Sequence, residues 1–554
     1  MPSPNLKIKN NTEQKIELSE ASKDLFRVIY QNEQDAVNHR EADEKIEKIK
    51  VNDIISKMSF FYEKIRNAVD YKEDHLLRKN AVGRILKRLN LTGYNNANEI
   101  AKTLLIELIR AGYLANDSVP EAKIEEIAQI IERFAKLKRL LLSIGKKNHQ
   151  ETDDIKKWII NLESTEIEEN LGDHSVDKVI GQHIFNIINN NIINNDKDLE
   201  FARDKKIQIY LAIFSKLFKY DDAMLEFLLF RYINPNWSKA TDADIALIAQ
   251  HHHEILEVIK QQLEHPFRKQ INKIAFKYTI YFSILRDAIE ENPKGSYDKL
   301  KNDPNSFKKL IEKVCERRYQ KSRGKLQRGA VRSIIYLFLT KTVLVFILEV
   351  PVILFLGDQL VYYSLIINVM FPPTLLLLIA LFTSVPDRQN TEKIQAGVEE
   401  ILLNPDANNN TVKLQYPNTR TEASNIIFSF FYAVMFLASF GFVIWGLLAI
   451  NFNFVSIVIF ILFLSFVSFF GIRLARFARA YSVTETRENI FSFFANFFYV
   501  PIIGLGKWMT ETFSQLNVFI FILDFIIEAP FKIFVEIFEQ WSAYVKERKE
   551  DVID

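Results

Sequence analysis

The chain of 554 residues has little cysteine and little glycine. Its one cysteine, Cys315, excludes a disulfide within the chain and a cysteine-rich zinc site. Glycine makes up 16 of 554 residues, about 3 % against a usual ~7 %, which is few for the turns of a strand-rich fold. The formal net charge is only +2, so the composition does not indicate nucleic acid as a partner.

The motifs of common enzyme classes are also missing from the sequence. It contains no Gly-x-x-x-x-Gly-Lys-Ser/Thr phosphate-binding loop, no His-Glu-x-x-His zinc motif and no Gly-x-Ser-x-Gly nucleophile turn. We therefore expect no catalytic residue and no cofactor, and predict a protein that is not an enzyme.

Phenylalanine is abundant but unevenly distributed. Of the 45 Phe residues, 26 lie between Phe428 and Phe538. A single soluble core would spread them more evenly, so the chain divides into a charged part and an apolar part. The expected fold class is all-α, with a large cytoplasmic helical domain followed by a helical multi-pass membrane domain.

The charged part is predicted to be a helical domain over residues 21–325, with one or two subdomains. Residues 1–20 are polar, lack the apolar segment of a signal peptide, and are expected to be disordered. Beyond them, apolar residues recur every three or four positions, which is typical of amphipathic helices. Ser118 and Glu121 have the spacing of a capping box at a helix start.

Two features of this domain suggest more specific functions. Residues 75–114 read as helix, turn, helix, but the second helix has too few basic residues for DNA recognition. His252 or His253, with Asp244 or another carboxylate, are weak candidates for a metal site. Adjacent histidines on one helix point about 100° apart and cannot all reach one ion, so packed or surface histidines are the main expectation.

Four segments of the second part reach the ~20 apolar residues that a bilayer crossing requires. They are predicted to form two transmembrane hairpins, within 326–384 and 425–472, joined by a polar cytoplasmic connector at 385–424. The predicted spans are 333–356, 360–384, 425–450 and 452–472.

The positive charges that flank these segments predict their orientation, because cytoplasmic loops carry an excess of Lys and Arg. Both flanks are therefore placed in the cytoplasm, the hairpin tips outside, and the protein in the inner (plasma) membrane. The flanking residues are Arg317, Arg318, Lys321, Arg323, Lys325, Arg328, Arg332, Arg473, Arg476 and Arg479.

Lys341 and Glu349 are the ionisable residues within the predicted spans. Eight residues of a straight α-helix separate them by about 12 Å and about 80°, so no direct pair is expected. Intramembrane charge is costly and marks a functional site by default. The alternative is that the span begins later and Lys341 extends to the cytoplasmic interface.

The chain after residue 472 is predicted to hold amphipathic or re-entrant membrane-associated helices over 473–545, then a polar tail at 546–554. Asp524, Glu528, Lys532 and Glu536 recur every fourth residue and form one polar stripe. Such a helix lies along the membrane surface or crosses within a bundle; the prolines at 501 and 530 favour the surface.

Three stretches of the membrane part carry a family resemblance. They are Phe338-Leu-Thr-Lys-Thr-Val, Phe371-Pro-Pro-Thr-Leu-Leu and Val385-Pro-Asp-Arg-Gln-Asn-Thr-Glu-Lys393, to which His75-Leu-Leu-Arg-Lys-Asn and Leu108-Ile-Arg-Ala-Gly-Tyr-Leu114 are added. The chain resembles uncharacterised multi-pass membrane proteins of small-genome bacteria. The resemblance implies a bacterial inner-membrane protein and brings no activity with it.

Three functions follow from these observations. The first is a non-enzymatic membrane scaffold whose cytoplasmic helical domain binds a protein partner or a second copy. The second is a channel or transporter that uses Lys341 and Glu349, and the third is a membrane-inserting pore former. The lipid bilayer is an expected partner in all three.

Overall fold

The computed structural model shows an all-α protein, as the sequence predicts. The strands among the described residues, β1 (Ile192–Ile193) and β2 (Val412–Lys413), have two residues each. The predicted disordered N-terminus and polar tail lie almost entirely outside the described residues. The structure describes residues 19–42, 47–51, 53–67, 73–91, 96–144, 148–172, 175–193, 199–292, 295–296, 299–300, 303–357, 359–403, 411–416, 421–484 and 490–516, with scattered positions between 534 and 548.

The chain forms two compact units whose limits differ from a simple division at residue 325. The helical unit takes its described residues from Glu17–Thr279, Ile401–Pro417 and the scattered positions between 534 and 548. The apolar unit takes them from Ile280–Glu400 and Asn418–Leu523. Part of the predicted connector 385–424 therefore belongs to the helical unit.

The helical unit consists of amphipathic helices packed around aliphatic side chains. α3 packs on α6, and α5 packs on both α4 and α6. Its helices are α1 (Glu20–Ala42), α2 (Asp53–Asn67), α3 (Asp74–Leu91), α4 (Ala97–Arg110), α5 (Ala122–Ser143), α6 (His149–Leu171), α7 (Ser175–Asn191), α8 (Leu199–Lys216), α9 (Asp222–Ile233), α10 (Asp242–Gln250), α11 (His252–Leu263) and α12 (Arg268–Glu290), whose last residues fall in the apolar unit.

The helix cap predicted at Ser118 and Glu121 does not form. The Ser118–Glu121 capping box is wrong: Ser118 Oγ donates to the Ala115 carbonyl at 2.6 Å, and Glu121 precedes α5 without a side-chain cap. The chain forms a turn there, with Asp117 at φ 58°. A hydroxyl in such a turn satisfies a nearby carbonyl instead of the helix amides.

The connector joins the helical unit through backbone hydrogen bonds. β1 pairs in parallel with β2, with Ile192 opposite Val412. The Ser19 amide donates to the Leu402 carbonyl at 2.9 Å, and Ser19 Oγ donates to the Ile401 carbonyl at 2.8 Å. These contacts attach residues 401–416 to the start of α1 and the end of α7.

Among its described residues, the apolar unit contains four helices that are long and apolar enough to cross a membrane. The first is interrupted by a π-helical turn. The helices are α13 (Pro304–Leu344), the π turn (Val345–Glu349), α14 (Val350–Phe355), α15 (Tyr362–Phe382), α16 (Arg388–Leu403, which ends in the helical unit), α17 (Glu422–Ala449), α18 (Phe454–Ala478) and α19 (Ile490–Leu516).

α18 is the central helix of this unit. It packs against α13, α15 and α19, and half of its most apolar 18-residue window is buried, against 11 % for α17. Buried apolar side chains such as Leu376, Phe460 and Val467 fill the space between these helices. The outer faces instead expose large apolar side chains, among them Phe431, Leu437 and Trp445.

α19 is one continuous helix of 27 residues with Pro501 inside it. The helix continues past Pro501 through Gly504 and Gly506. A Cβ at Gly506 would collide with the Ser465 carbonyl oxygen of α18. The absence of a side chain at Gly506 thus permits close contact between the two backbones.

Candidate functional site

Lys341 and Glu349 both lie in the interior of the apolar unit. Each has an exposed fraction of 0 %, so neither side chain reaches the surface of this unit. Burial of a charged group is expensive unless other polar groups compensate for it. These two residues are therefore candidates for a functional site.

The π turn changes the relative direction of these two side chains. In it the Val350 amide donates to the Val345 carbonyl, five residues earlier instead of four. A wide turn of this kind acts as one extra residue, so eight residues rotate like seven α-helical ones and the offset falls from about 80° to about 20°. Lys341 and Glu349 consequently project towards the same side of the helix.

Pro351 explains why the helix widens at this point. Proline has no amide hydrogen, and its ring collides with the carbonyl four residues earlier in a regular α-helix. That carbonyl belongs to Ile347, in the middle of the π turn. π-helical turns and prolines are the common causes of local change in helix geometry.

Glu349 is held by side chains from two other helices. Its Oε1 accepts a 2.7 Å hydrogen bond from Asn368 Nδ2 of α15 and a 2.6 Å hydrogen bond from Ser456 Oγ of α18. Asn368 Nδ2 also donates to the Ser456 carbonyl at 3.2 Å. Asn368 and Ser456 are both 0 % exposed. We call Lys341, Glu349, Asn368 and Ser456 the polar cluster.

The local sequence of each helix directs these residues inward. On α15, Ser364, Asn368, Pro372 and Leu376 recur every fourth residue, and all are buried. On α18, Asn453 accepts from the Ser456 amide at 3.0 Å and caps the helix, which places Ser456 in its first turn. The cap at the start of α18 therefore fixes the position of the Ser456 hydroxyl, which donates to Glu349.

α18 contacts both charged residues of the first apolar helix, and its two contacting residues have a similar spacing along the helix axis. The Lys341 Nζ lies 4.0 Å from the centroid of the Phe463 ring, a cation–π contact. Phe463 follows Ser456 by seven residues, about 20° short of two full turns, so both project from the same face. The spacing of about 10 Å along α18 is close to the separation of Lys341 from Glu349 along the first apolar helix.

Three polar atoms of the cluster have no hydrogen-bond partner within the described part of the chain. They are Lys341 Nζ, Glu349 Oε2 and Asn368 Oδ1, and each is buried. Buried polar groups are nearly always hydrogen-bonded, and exceptions require an explanation. The cluster thus offers one cationic donor and two oxygen acceptors to something small.

The other predicted candidates are not brought together in the same way. His252 is buried with Nδ1 3.0 Å from the Ala249 carbonyl, and the His253 ring lies 3.8 Å from its ring. Among the described residues no group of three or more His, Cys, Asp or Glu is arranged to hold a metal ion. The polar stripe Asp524, Glu528, Lys532 and Glu536 lies outside the described residues.

The predicted positive flank is largely solvent-accessible in the structure. Arg317 pairs with Glu291, and the half-buried Arg318 binds Asp287 and donates to the Tyr481 hydroxyl at 2.9 Å. The remaining members are exposed, namely Lys321, Arg323, Lys325, Arg328, Arg332, Arg473, Arg476 and Arg479.

Asn368 and Ser456 are functional candidates that the sequence analysis missed. Asn368 carries an amide side chain in the middle of the predominantly apolar α15, and Pro351 follows an acidic residue inside a span. Those two signals were present in the sequence, whereas the pairing of Ser456 with Glu349 depends on the tertiary packing. No protein-family model matches the chain, and no curated protein or solved structure is significantly similar to it.

Proposed function

We propose that the chain is a multi-pass integral membrane protein whose polar cluster binds and releases a proton during transport across the bilayer. The carrying observation is Glu349, a fully buried carboxyl group with one oxygen hydrogen-bonded and the other open. This is the second of the functions that the sequence suggested.

A membrane position is supported by the surfaces of the apolar helices. Large aromatic and aliphatic residues are exposed on α17, such as Phe430 at 65 % and Trp445 at 67 %. Exposed apolar patches of this extent are unfavourable in water and normal in lipid. With the positive flank in the cytoplasm, residues 1–325 and 386–424 face the cytoplasm and the tip at Gly357 faces outward.

A proton suits the cluster better than a metal ion does. Hard cations such as Ca²⁺ take six or more oxygen ligands, and the cluster has two free oxygens among the described residues. The buried Lys341 also repels a metal ion. A proton needs a single acceptor, Glu349 Oε2, while Oε1 keeps its hydrogen bonds from Asn368 and Ser456.

Lys341 acts in this proposal as the counter-charge of the site. When Glu349 is ionised, the Lys341 ammonium group attracts the carboxylate and offsets its burial. When Glu349 takes up a proton, the Phe463 ring is the remaining partner of the ammonium group. The position of Lys341 thereby favours release of the proton and keeps both states accessible.

Proton flux into liposomes tests this function. Purified full-length protein is reconstituted with a pH-sensitive dye inside, and a potassium diffusion potential is applied with valinomycin. We expect a protein-dependent flux that Glu349→Gln reduces at least tenfold, on the order of 1.4 kcal/mol or more of the barrier. Lys341→Gln is expected to shift the pH profile of the flux to higher pH.

Glu511→Gln is the matched control for this experiment. Glu511 is on α19, pairs with Lys507 at 3.7 Å and is 63 % exposed, so its replacement leaves the bundle interior intact. Flux in wild-type liposomes equal to that of empty liposomes would refute the proposal, as would equal flux in the wild type and Glu349→Gln.

A partner-binding function of the helical unit is favoured by a separate observation. Leu247 (55 % exposed) and Val258 (43 % exposed) line an open groove of about 340 Å³ between α10 and α11. If this groove binds a second copy, the purified full-length chain has a mass above that of one copy in native mass spectrometry. Leu247→Asp would then reduce the mass to that of one copy.

A further inference from the structure

The helical unit contains a cavity that the proposed transport function does not use. It has a volume of about 430 Å³ and lies between α7 and α8, with α6 and α9 contributing its polar side. Small-molecule sites commonly have volumes of about 300–1,000 Å³. All of the lining residues belong to the described part of the helical unit. We call this cavity the aromatic pocket.

One wall of the aromatic pocket is a series of contacting rings. On α8 and the turn after it, the Tyr210 and Phe214 centroids are 4.5 Å apart, and Phe214 stacks on Phe218 at 4.5 Å with an interplanar angle of 11°. Tyr220 lies 5.2 Å from Phe214. From α7, the half-buried Phe185 also lines the cavity. Rings of this kind favour contact with another planar ring.

The polar side of the pocket is a hydrogen-bonded group whose charges largely balance. Glu169 accepts from the Tyr220 hydroxyl at 3.0 Å and from Arg231 Nη1 at 2.7 Å. Arg231 also interacts with the Tyr210 hydroxyl and stacks over the Phe227 ring at 5.3 Å. Both carboxylate oxygens of Glu169 are therefore occupied, and its charge is matched by Arg231.

Lys178 adds a positive charge that no carboxylate of the pocket balances. It lines the cavity from α7, is exposed, and has no ion pair within the described residues. The polar groups of the pocket then carry a net charge of one positive unit from Lys178, Arg231 and Glu169. An anionic group on a ligand would interact favourably with this excess charge.

We propose that the aromatic pocket binds a small planar aromatic molecule carrying a negative charge, with the ring among Phe185, Tyr210 and Phe214 and the anionic group at Lys178. A nucleoside monophosphate and an aromatic carboxylate share this chemistry. The inference is independent of proton transport, since none of these residues belongs to the polar cluster.

Isothermal titration of the full-length protein in detergent tests the pocket with four probes. They are adenosine monophosphate, 2-naphthoate, adenosine without a phosphate, and inorganic phosphate without a ring. We expect saturable binding of adenosine monophosphate, 2-naphthoate or both, and weaker binding of adenosine and of phosphate. Binding of only one of these two anions identifies whether the pocket accepts a nucleoside monophosphate or an aromatic carboxylate.

Two variants and one control locate the binding. Lys178→Gln is expected to reduce the affinity for the aromatic anion by about tenfold, which corresponds to the loss of one charge-assisted contact. Phe185→Leu keeps an apolar side chain but removes the ring, and is expected to weaken binding while a circular-dichroism melt shows retained folding. Lys260→Gln, at an exposed position on α11, leaves binding unchanged.

Several results would overturn the assignment. Failure of both aromatic anions to saturate excludes this ligand class. Equal binding of adenosine and its monophosphate excludes the role of charge, and equal binding of phosphate excludes the role of the ring. An unchanged affinity in Lys178→Gln would place the ligand elsewhere on the protein.

Discussion

The Ser456 hydroxyl donates a 2.6 Å hydrogen bond to Glu349 Oε1, although the two residues lie 107 positions apart in the chain. Ser456 lies in the first turn of the second helix of the second hairpin, and Glu349 ends the π turn of the first apolar helix. With Asn368 as the third member, the contact ties both predicted hairpins together at one buried carboxyl group.

The two hydrogen bonds to Glu349 predict unequal effects of two substitutions. Glu349→Gln retains an oxygen for Asn368 and Ser456, so we expect a small change in thermal stability. Glu349→Leu leaves the buried Ser456 hydroxyl without this acceptor, at about 1–3 kcal/mol, and leaves Asn368 Nδ2 with the Ser456 carbonyl alone. It also removes the countercharge of Lys341. Melting of both variants in the same detergent measures the difference. Equal melting temperatures would show that these hydrogen bonds do not stabilise the bundle.

The contact between α18 and α19 predicts that Gly506 is intolerant of substitution. Gly506→Ala places a methyl group against the Ser465 carbonyl oxygen, and such overpacking costs typically about 1–3 kcal/mol. Gly446→Ala on α17 is the control, because a methyl group at that position would have no neighbour within 4 Å. We expect a lower melting temperature for Gly506→Ala alone. A stability equal to that of Gly446→Ala would contradict this packing.

Glu163 predicts a pH dependence of stability in the helical unit. Burial raises the pKa of its carboxyl group from 4.5 to about 8, with attraction from Lys138 and repulsion from Glu166 as smaller effects. The folded state therefore binds the proton more tightly than the unfolded state does. The contribution of Glu163 to the free energy of unfolding is fully present below about pH 4.5 and declines as the pH rises to about 8.

Glu163→Gln is expected to remove this decline. Glutamine cannot ionise, so the variant should melt at a higher temperature than the wild type in alkaline buffer and at a similar temperature in acid. The control Glu257→Gln changes an exposed carboxyl group on α11. A parallel pH dependence of the Glu163→Gln and wild-type melting temperatures would show that Glu163 does not control it.

The proposed topology predicts which cysteines can be labelled from outside intact cells. In a Cys315→Ser background, Gln359→Cys at the first hairpin tip should react with an impermeant maleimide. Glu392→Cys on α16 should react only after the membrane is opened; both positions are exposed in the structure. Labelling of residue 392 from outside would show that the proposed orientation is wrong.

The sequence was sufficient for the large features of the fold. Runs of about 20 apolar residues are set by composition alone, so the four apolar helices could be located before their packing was known. Cap geometry was less predictable: Ser118 serves a local turn, whereas Asn148 with Glu151 and Thr241 with Asp244 form the capping boxes of α6 and α10. Similar residue types compete for several local hydrogen bonds.

The candidate site was predictable only in part. Lys341 and Glu349 are conspicuous in an apolar segment, but a straight helix separates their directions by about 80°. The π turn before Pro351 removes most of that angle, and the partners Asn368 and Ser456 arrive from other helices. Those relationships depend on tertiary structure, which periodicity does not contain.

The proposed proton transport requires Glu349 to gain and lose a proton inside the bundle. Infrared difference spectra of the full-length protein in lipid, recorded between acidic and alkaline buffer, measure the carboxylic acid band directly. Other carboxyl groups, Glu163 among them, titrate over the same range and contribute to the spectra of all three proteins. We predict an additional component of this band in the wild type and in Glu511→Gln that is absent from Glu349→Gln. Identical difference spectra for the wild type and a folded Glu349→Gln protein would show that Glu349 does not change its protonation state.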